Sequence, residues 1–213
     1  MRLKINFFNR DTVVVAKELL GKYLVRRING KVIAAKITET EAYCGQHDLA
    51  CHASKGLTER TKIMFGPPGH AYVYLIYGMY HCLNVVTGEK GCPEAVLIRG
   101  CELKSIKYKV LSIKEIKKRP IRNTKYIILN TKLDGPGKLC RALNIDRNLN
   151  GVDICKNNEL WIEDSGEKPS GIKRGKRIGV DYAGKWKDKL WRFFVDPALN
   201  KDITPSRMVL DYE

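Results

Sequence analysis

His70-Ala71-Tyr72-Val73-Tyr74-Leu75-Ile76-Tyr77-Gly78-Met79-Tyr80-His81-Cys82-Leu83-Asn84-Val85-Val86-Thr87 reads as two strands and the turn between them. His70 to Tyr77 alternates with a period of two, as a half-buried strand does. Gly78 breaks the run, and Tyr80 to Thr87 resumes it. Two strands this close make a hairpin or a bent ribbon, with Tyr77 near its tip. Gly66-Pro67-Pro68-Gly69 is a tight turn leading in. Thr87-Gly88-Glu89-Lys90-Gly91 turns the chain again, and Glu94 to Arg99 is a further strand.

Upstream, Lys22 to Arg27 and Lys31 to Tyr43 read as strands joined at Ile28-Asn29-Gly30. Asp11 is a good N-cap for a helix over Thr12 to Leu20, and Gly21 is a good stop. Residues 44 to 62 show no clean period and read as a long, partly helical connection. Leu103, Ile106, Val110, Ile113 and Ile116 recur at three or four, which predicts an amphipathic helix from Glu102 to Pro120. Gly135 to Leu143 predicts a short helix with Pro136 in its first turn. Its glycine-rich entry is either an ordinary helix start or a phosphate cradle with Lys138 beside it. Glu159 to Ile162, Arg177 to Val180 and Trp191 to Val195 are strand-like, and Ser165 to Arg177 is loop-like and basic. No βαβ alternation is sustained. The expected fold class is α+β, a mixed, largely antiparallel sheet with a protruding hairpin and flanking helices, in one domain over residues 1–213.

Charge narrows the partners. Thirty-nine Lys and Arg against 23 Asp and Glu give a formal net charge of +16 and a pI near 9.6. Such a field attracts polyanions, and nucleic acid is the commonest in a cell. A membrane surface would call for a basic amphipathic helix with aromatic anchors, and none is evident. The N-terminus has no apolar run behind its charge, and no stretch is long and apolar enough to span a bilayer. A cytoplasmic, nucleoid-associated protein is expected. The seven cysteines contain no C-x-x-C pair, and their spacings fit neither a disulfide framework nor a common zinc class. No metal and no cofactor are expected.

The chemistry centres on Ile37-Thr38-Glu39-Thr40-Glu41-Ala42-Tyr43. Residues i and i+2 of a strand share a face, so Glu39, Glu41 and Tyr43 face one way. An apolar core would not accept Glu41 unpaired, so that face is a pocket wall. A carboxylate there suits a general base that takes a proton from water. Either Glu39 or Glu41 could serve. Two acids on one strand cannot flank a bond from both sides, which disfavours a two-carboxylate sugar hydrolase. The plainer alternative is a strand acid paired with one of the many basic residues. The tyrosines from Tyr72 to Tyr80 are either sheet packing, above all Tyr72 and Tyr80, or flat partners for an extruded base, and Tyr77 next to Gly78 is placed for a wedge into the duplex. Walker, Rossmann and H-E-x-x-H motifs are absent.

These residues resemble a family, the alkyladenine (3-methyladenine) DNA glycosylases. The likeness runs through Glu39-Thr40-Glu41-Ala42-Tyr43, Ala50-Cys51-His52-Ala53, Gly56-Leu57-Thr58-Glu59-Arg60 and Met64-Phe65-Gly66-Pro67-Pro68-Gly69. It continues through Tyr72-Val73-Tyr74, Tyr77-Gly78-Met79-Tyr80, Cys82-Leu83-Asn84-Val85-Val86 and Ala95-Val96-Leu97-Ile98-Arg99, with weaker echoes at Gly135 to Leu139 and Arg177 to Gly184. The resemblance implies a monofunctional, metal-independent, monomeric enzyme that flips alkylated or deaminated purines from duplex DNA and hydrolyses the N-glycosidic bond. Glu41 matches the residue that activates the water, and Arg99 one that helps hold both. Tyr43, His52 and Tyr74 match rings around the flipped base. Asn84 matches a residue that crowds the guanine 2-amino group, and Tyr77 one that fills the vacated stack. Departures fall at Gly100-Cys101-Glu102-Leu103, which lacks an expected proline, and in the lysine-rich segment 104–126. The rival reading is a non-catalytic DNA- or RNA-binding module with a formyltransferase C-terminal-like fold, which would leave His52 and Asn84 idle.

Overall fold

The computed structural model describes residues 1–108 and 126–196. Among these residues two short helices come first, α1 (Ile5–Phe8) and α2 (Thr12–Glu18). Nine described strands follow, with a further described helix among them: β1 (Tyr23–Ile28), β2 (Lys31–Tyr43), β3 (Ala71–Ile76), β4 (Tyr80–Thr87), β5 (Glu94–Tyr108), β6 (Tyr126–Asp134), α3 (Pro136–Ala142), β7 (Leu160–Glu163), β8 (Ile172–Gly175) and β9 (Arg192–Val195). The nine strands form one sheet, and every pairing among the described residues is antiparallel. The α+β expectation is met.

Local chemistry accounts for the elements that the sequence marks. Asp11 caps α2 by accepting from the Val14 N–H at 2.8 Å. Asn29 and Gly30 take φ of +49° and +77°, the left-handed pair of a tight hairpin between β1 and β2. Tyr77 and Gly78 do the same between β3 and β4, at +50° and +69°.

Two long strands organise the sheet by changing neighbours along their length. One edge of β2 lies along β5, and the other meets β1 first and β9 later. One edge of β5 lies along β2, and the other meets β4 through Leu97 and β6 from Gly100 onward. The register between β2 and β5 shifts on either side of Glu39, where Gly100 sits opposite it and Ile98 opposite Thr40. A bulge of this kind bends a strand and re-aims its side chains.

Alternation divides the sheet. Ala42, Ala71, Val73, Leu83, Val85, Val96 and Ile98 face one way, into a core shared with Val15, Ala16 and Leu19 near α2 and with Leu139 and Cys140 of α3. Thr40 also faces this side, and its hydroxyl donates to the Ala16 carbonyl at 2.7 Å. The intervening residues face the other way and build the site. Helix α3 enters at Gly137, where a Cβ would meet the Tyr80 ring at 3.1 Å, so a glycine lets the foot of the hairpin seat on the helix.

Two expectations are corrected. Residues 102–108 are strand, paired from Glu102↔Lys132 to Tyr108↔Tyr126, and not the start of a helix. Long-range pairing with β6 overrides a helix-like spacing of a few apolar residues; the rest of that predicted helix, to Pro120, lies outside the described residues. Arg177 to Val180 is not a strand, whereas Ile172–Gly175, read as loop, is one. The Ile178 N–H is committed to a side chain of the site instead of a ladder.

Candidate active site

Glu41, Leu97, Asn84 and Tyr72 lie opposite one another across β2, β5, β4 and β3. All four line a cleft of about 520 Å³ on the face away from the core. The same cleft collects Tyr43, His52, Tyr74, Tyr77 and Arg99, so all seven candidate residues come together. Segments 50–52 and 178–182 close its sides, and Pro136 at the start of α3 reaches its wall.

Glu41 is fully buried. Its Oε1 accepts from the Ile178 N–H at 2.9 Å, and its Oε2 from the Tyr43 hydroxyl at 2.8 Å. Arg99 Nε stands 3.7 Å from Oε1. Burial pushes the Glu41 carboxyl above the usual glutamate range, opposed by Arg99, the Ile178 N–H and the Tyr43 hydroxyl. The carboxylate is therefore deprived of water but held by two neutral donors and one cation. That suits a base, because a raised affinity for protons comes with fixed support for the charged form. Burial also pushes the Tyr43 phenol well above its ordinary value, so it remains a donor.

Glu39 shares the face of Glu41 as alternation requires, but it is already engaged. Its Oε1 accepts from Arg99 Nε at 2.9 Å and from Arg192 Nη1 at 3.0 Å. One guanidinium thus bridges both carboxylates, and Glu39 orients Arg99 more readily than it could activate water.

The walls are aromatic. His52 meets Tyr74 edge-on with centroids 4.6 Å apart, and its Nδ1 is 2.9 Å from the Tyr72 hydroxyl. Burial, and secondarily Arg60, lower the His52 pKa to about 4, so its imidazole is neutral at neutral pH. The Arg60 guanidinium lies over the Tyr74 ring at 4.9 Å. Asn84 is 4% exposed, and its amide donates to the Tyr72 carbonyl at 3.1 Å. Tyr77, at the hairpin tip, is 86% exposed beside the exposed Met79.

Sequence reading missed several residues. Arg60 and Tyr182 line the cleft, and Tyr182 is largely exposed at its rim. Arg177 and Asp48 form a fully buried ion pair beneath Tyr43. Their separation of 129 residues leaves no local signal; only the order Arg177-Ile178-Gly179-Val180 hinted at a role. Among the described residues, no three His, Cys, Asp or Glu side chains are gathered as a metal site needs, and no helix is long and apolar enough to cross a membrane.

The family model described as methylpurine-DNA glycosylase matches residues 6–198. A relative from Methanocella arvoryzae is 50% identical over 189 residues, covering 89% of this chain and 90% of the relative. One from Legionella pneumophila (strain Lens) is 48% identical over 197 residues, covering 92% and 96%. One from Clostridium perfringens (strain 13) is 46% identical over 205 residues, again covering 92% and 96%. Each of the three bears the name of a 3-methyladenine DNA glycosylase. This chain belongs to the methylpurine-DNA glycosylase family and is a DNA glycosylase, an enzyme of DNA repair.

Proposed function

We propose that the protein excises alkylated and deaminated purines, 3-methyladenine and hypoxanthine among them, by flipping the nucleotide out of duplex DNA and hydrolysing its N-glycosidic bond with water activated by Glu41. The observation that carries this reading is a fully buried glutamate on the floor of an aromatic cleft, beneath a hairpin whose tip exposes a tyrosine. Glu41 takes a proton from water as the water oxygen bonds to C1′. The C1′–N bond breaks, its electron pair leaves with the base, and an abasic site remains; the pair neutralises a cationic alkylpurine, whereas hypoxanthine leaves as an anion and takes its proton from solvent. Positive charge grows on the sugar as that bond opens, and it is relieved as the water oxygen bonds to C1′ and passes its proton to Glu41.

The aromatic residues have separate tasks. Tyr43, His52 and Tyr74 hold the extruded base, and a cationic alkylpurine is attracted to electron-rich ring faces. A neutral His52 adds no repelling charge. Tyr77 enters the duplex and takes the place of the flipped base, which lowers the cost of unstacking. Asn84, held by the Tyr72 carbonyl, crowds the guanine 2-amino group. The net charge of +16 grips phosphates without regard to sequence. The protein acts as a monomer, in the cytoplasm at the nucleoid.

The test is single-turnover incubation with duplexes carrying one hypoxanthine or one 3-methyladenine, in EDTA. Free base should appear, and the strand should break only after alkali. Strand cleavage without alkali would contradict the monofunctional reading, and no release of either base would contradict the excision reading.

A further inference from the structure

The segment Lys176-Arg177-Ile178 is fastened at each residue. The Lys176 carbonyl accepts from Arg192 Nε at 2.9 Å. The Arg177 side chain is fully buried against Asp48, with Nη2 donating to Asp48 Oδ1 at 2.8 Å. The Ile178 N–H donates to Glu41 at 2.9 Å. Arg177 also reaches the strand that carries the acid. Its Nη1 donates to the Ala42 carbonyl, between Glu41 and Tyr43, at 2.9 Å, and Nη2 donates to the Trp186 carbonyl at 3.1 Å. Its guanidinium lies over the Tyr43 ring at 4.9 Å and over Trp191 at 5.1 Å. Asp48 is fixed in turn by the Cys44 N–H at 3.2 Å and the Ala50 N–H at 3.1 Å, and Ala50 lines the cleft.

We propose that Arg177 is a positioning residue for the hydrolysis: it locks Tyr43 and the 176–178 segment to the sheet, and so fixes both neutral donors on Glu41. The proposal rests on Glu41 as the base. Fold stability alone is a poor reason for the arrangement, because a buried ion pair often stabilises no more than well-packed apolar residues would. Arg177 Nε is moreover buried with no hydrogen-bond partner among the described residues. What the guanidinium supplies that an apolar side chain cannot is direction. It holds one carbonyl on each of two segments and two ring faces.

The consequence reaches the protonation of Glu41. The charged and titratable groups around that carboxyl are Glu39 and Tyr43 on its own strand, Arg99 on β5, Cys82 on β4 and Arg192 on β9, with Tyr74 behind Tyr43. The Ile178 N–H and the Tyr43 hydroxyl both favour the ionised form. Loosening either moves the acid limb of the pH–rate profile to higher pH.

Arg177→Lys is the test variant, since it keeps a cation for Asp48 and loses the forked contacts and the stacked plane. It is compared with the wild type and Glu41→Gln by single-turnover excision of hypoxanthine at saturating enzyme across pH, by duplex binding and by thermal melting. The expected result is a rate lower by about 10-fold or more, the worth of a weakened hydrogen bond to a charged group, with the acid limb shifted up and duplex binding retained. A merely structural role lowers the melting temperature and leaves the rate and acid limb of the folded enzyme at wild-type values, which overturns the proposal. If Arg177→Lys does not fold, Asp48→Asn, which loosens the hold on the Arg177 guanidinium without touching Glu39 or Arg99, is read in the same way, and wild-type values there overturn it. An inactive Glu41→Gln beside an unaffected Arg177→Lys sinks this inference alone. A Glu41→Gln that excises normally sinks the base assignment, and this inference with it.

Discussion

Replacing Tyr77 by asparagine separates what the hairpin tip does for the fold from what it does for the reaction. Tyr77 and Gly78 sit at φ of +50° and +69°, in a turn closed by the Met79 N–H on the Ile76 carbonyl at 3.2 Å. Asn-Gly suits two such left-handed positions, and tyrosine at the first costs on the order of 1 kcal/mol. With the residue 86% exposed, little packing opposes that cost. The variant should therefore melt at the wild-type temperature or up to about 4 °C higher. The reaction should suffer. A tyrosine carries about 150–250 Å² of surface, which at ~25 cal/mol per Å² sets a ceiling of about 4–6 kcal/mol for burial in the stack. Aromatic stacking on bases is worth about 1–3 kcal/mol by substitution, equivalent to roughly 5- to 150-fold in the population of the flipped complex. Calorimetry and single-turnover excision, with enzyme in excess of DNA but below saturation, measure the two effects. Wild-type excision by a well-folded Tyr77→Asn would refute the wedge. A melting temperature several degrees lower would refute the claim that the tip is strained and unpacked.

Three further substitutions probe the cleft. Tyr43→Phe removes the 2.8 Å donor to Glu41, so the carboxyl rises further above its usual range, the acid limb moves up and the neutral-pH rate falls by about 10-fold; an unchanged pH–rate profile would count against this hydrogen bond. His52 has a folded pKa of about 4 against 6.5 ordinarily, so its contribution to stability is complete above about pH 6.5 and is lost as pH falls towards 4. Melting of the wild type should drop more steeply over that window than melting of His52→Gln, and parallel curves would show that the imidazole is not held neutral. Asn84→Ser removes a buried amide from the Tyr72 carbonyl, costs about 1–3 kcal/mol in stability and admits guanine-type lesions better; the same ratio of guanine to adenine lesions excised would rule out the crowding role.

The hairpin, the first two strands, α2 and α3 were legible because each is set by neighbours in the chain: an aspartate cap, two left-handed turns and a proline in a first turn. Alternation alone put Glu41, Glu39 and Tyr43 on one face. The resemblance supplied the other site residues, and the structure places all of them in one cleft. What was not legible is non-local. Strand β6 and the extension of β5 exist because they pair with each other, so a spacing of apolar residues that mimicked a helix misled. Ile178 escaped because its N–H ends on a side chain 137 residues away, where no strand pattern applies. By sequence Glu39 is an equal candidate for the base, and only the folded structure brings Arg99 and Arg192 onto it. Alternation gives the side of a sheet, not the partner a side chain meets there.

Glu41→Gln is the most direct test of the whole account, because the amide keeps the shape of a fully buried side chain and loses its charge and basicity. It still accepts from the Ile178 N–H, and its NH2 can donate to a turned Tyr43 hydroxyl. The measurement is single-turnover release of hypoxanthine and 3-methyladenine from duplex DNA in EDTA, with binding to the damaged duplex measured alongside. The account predicts that the wild type releases free base and leaves an alkali-labile site, while the variant binds the duplex and releases nothing above the uncatalysed rate. Release by Glu41→Gln at the wild-type rate would contradict it and move the base to another group.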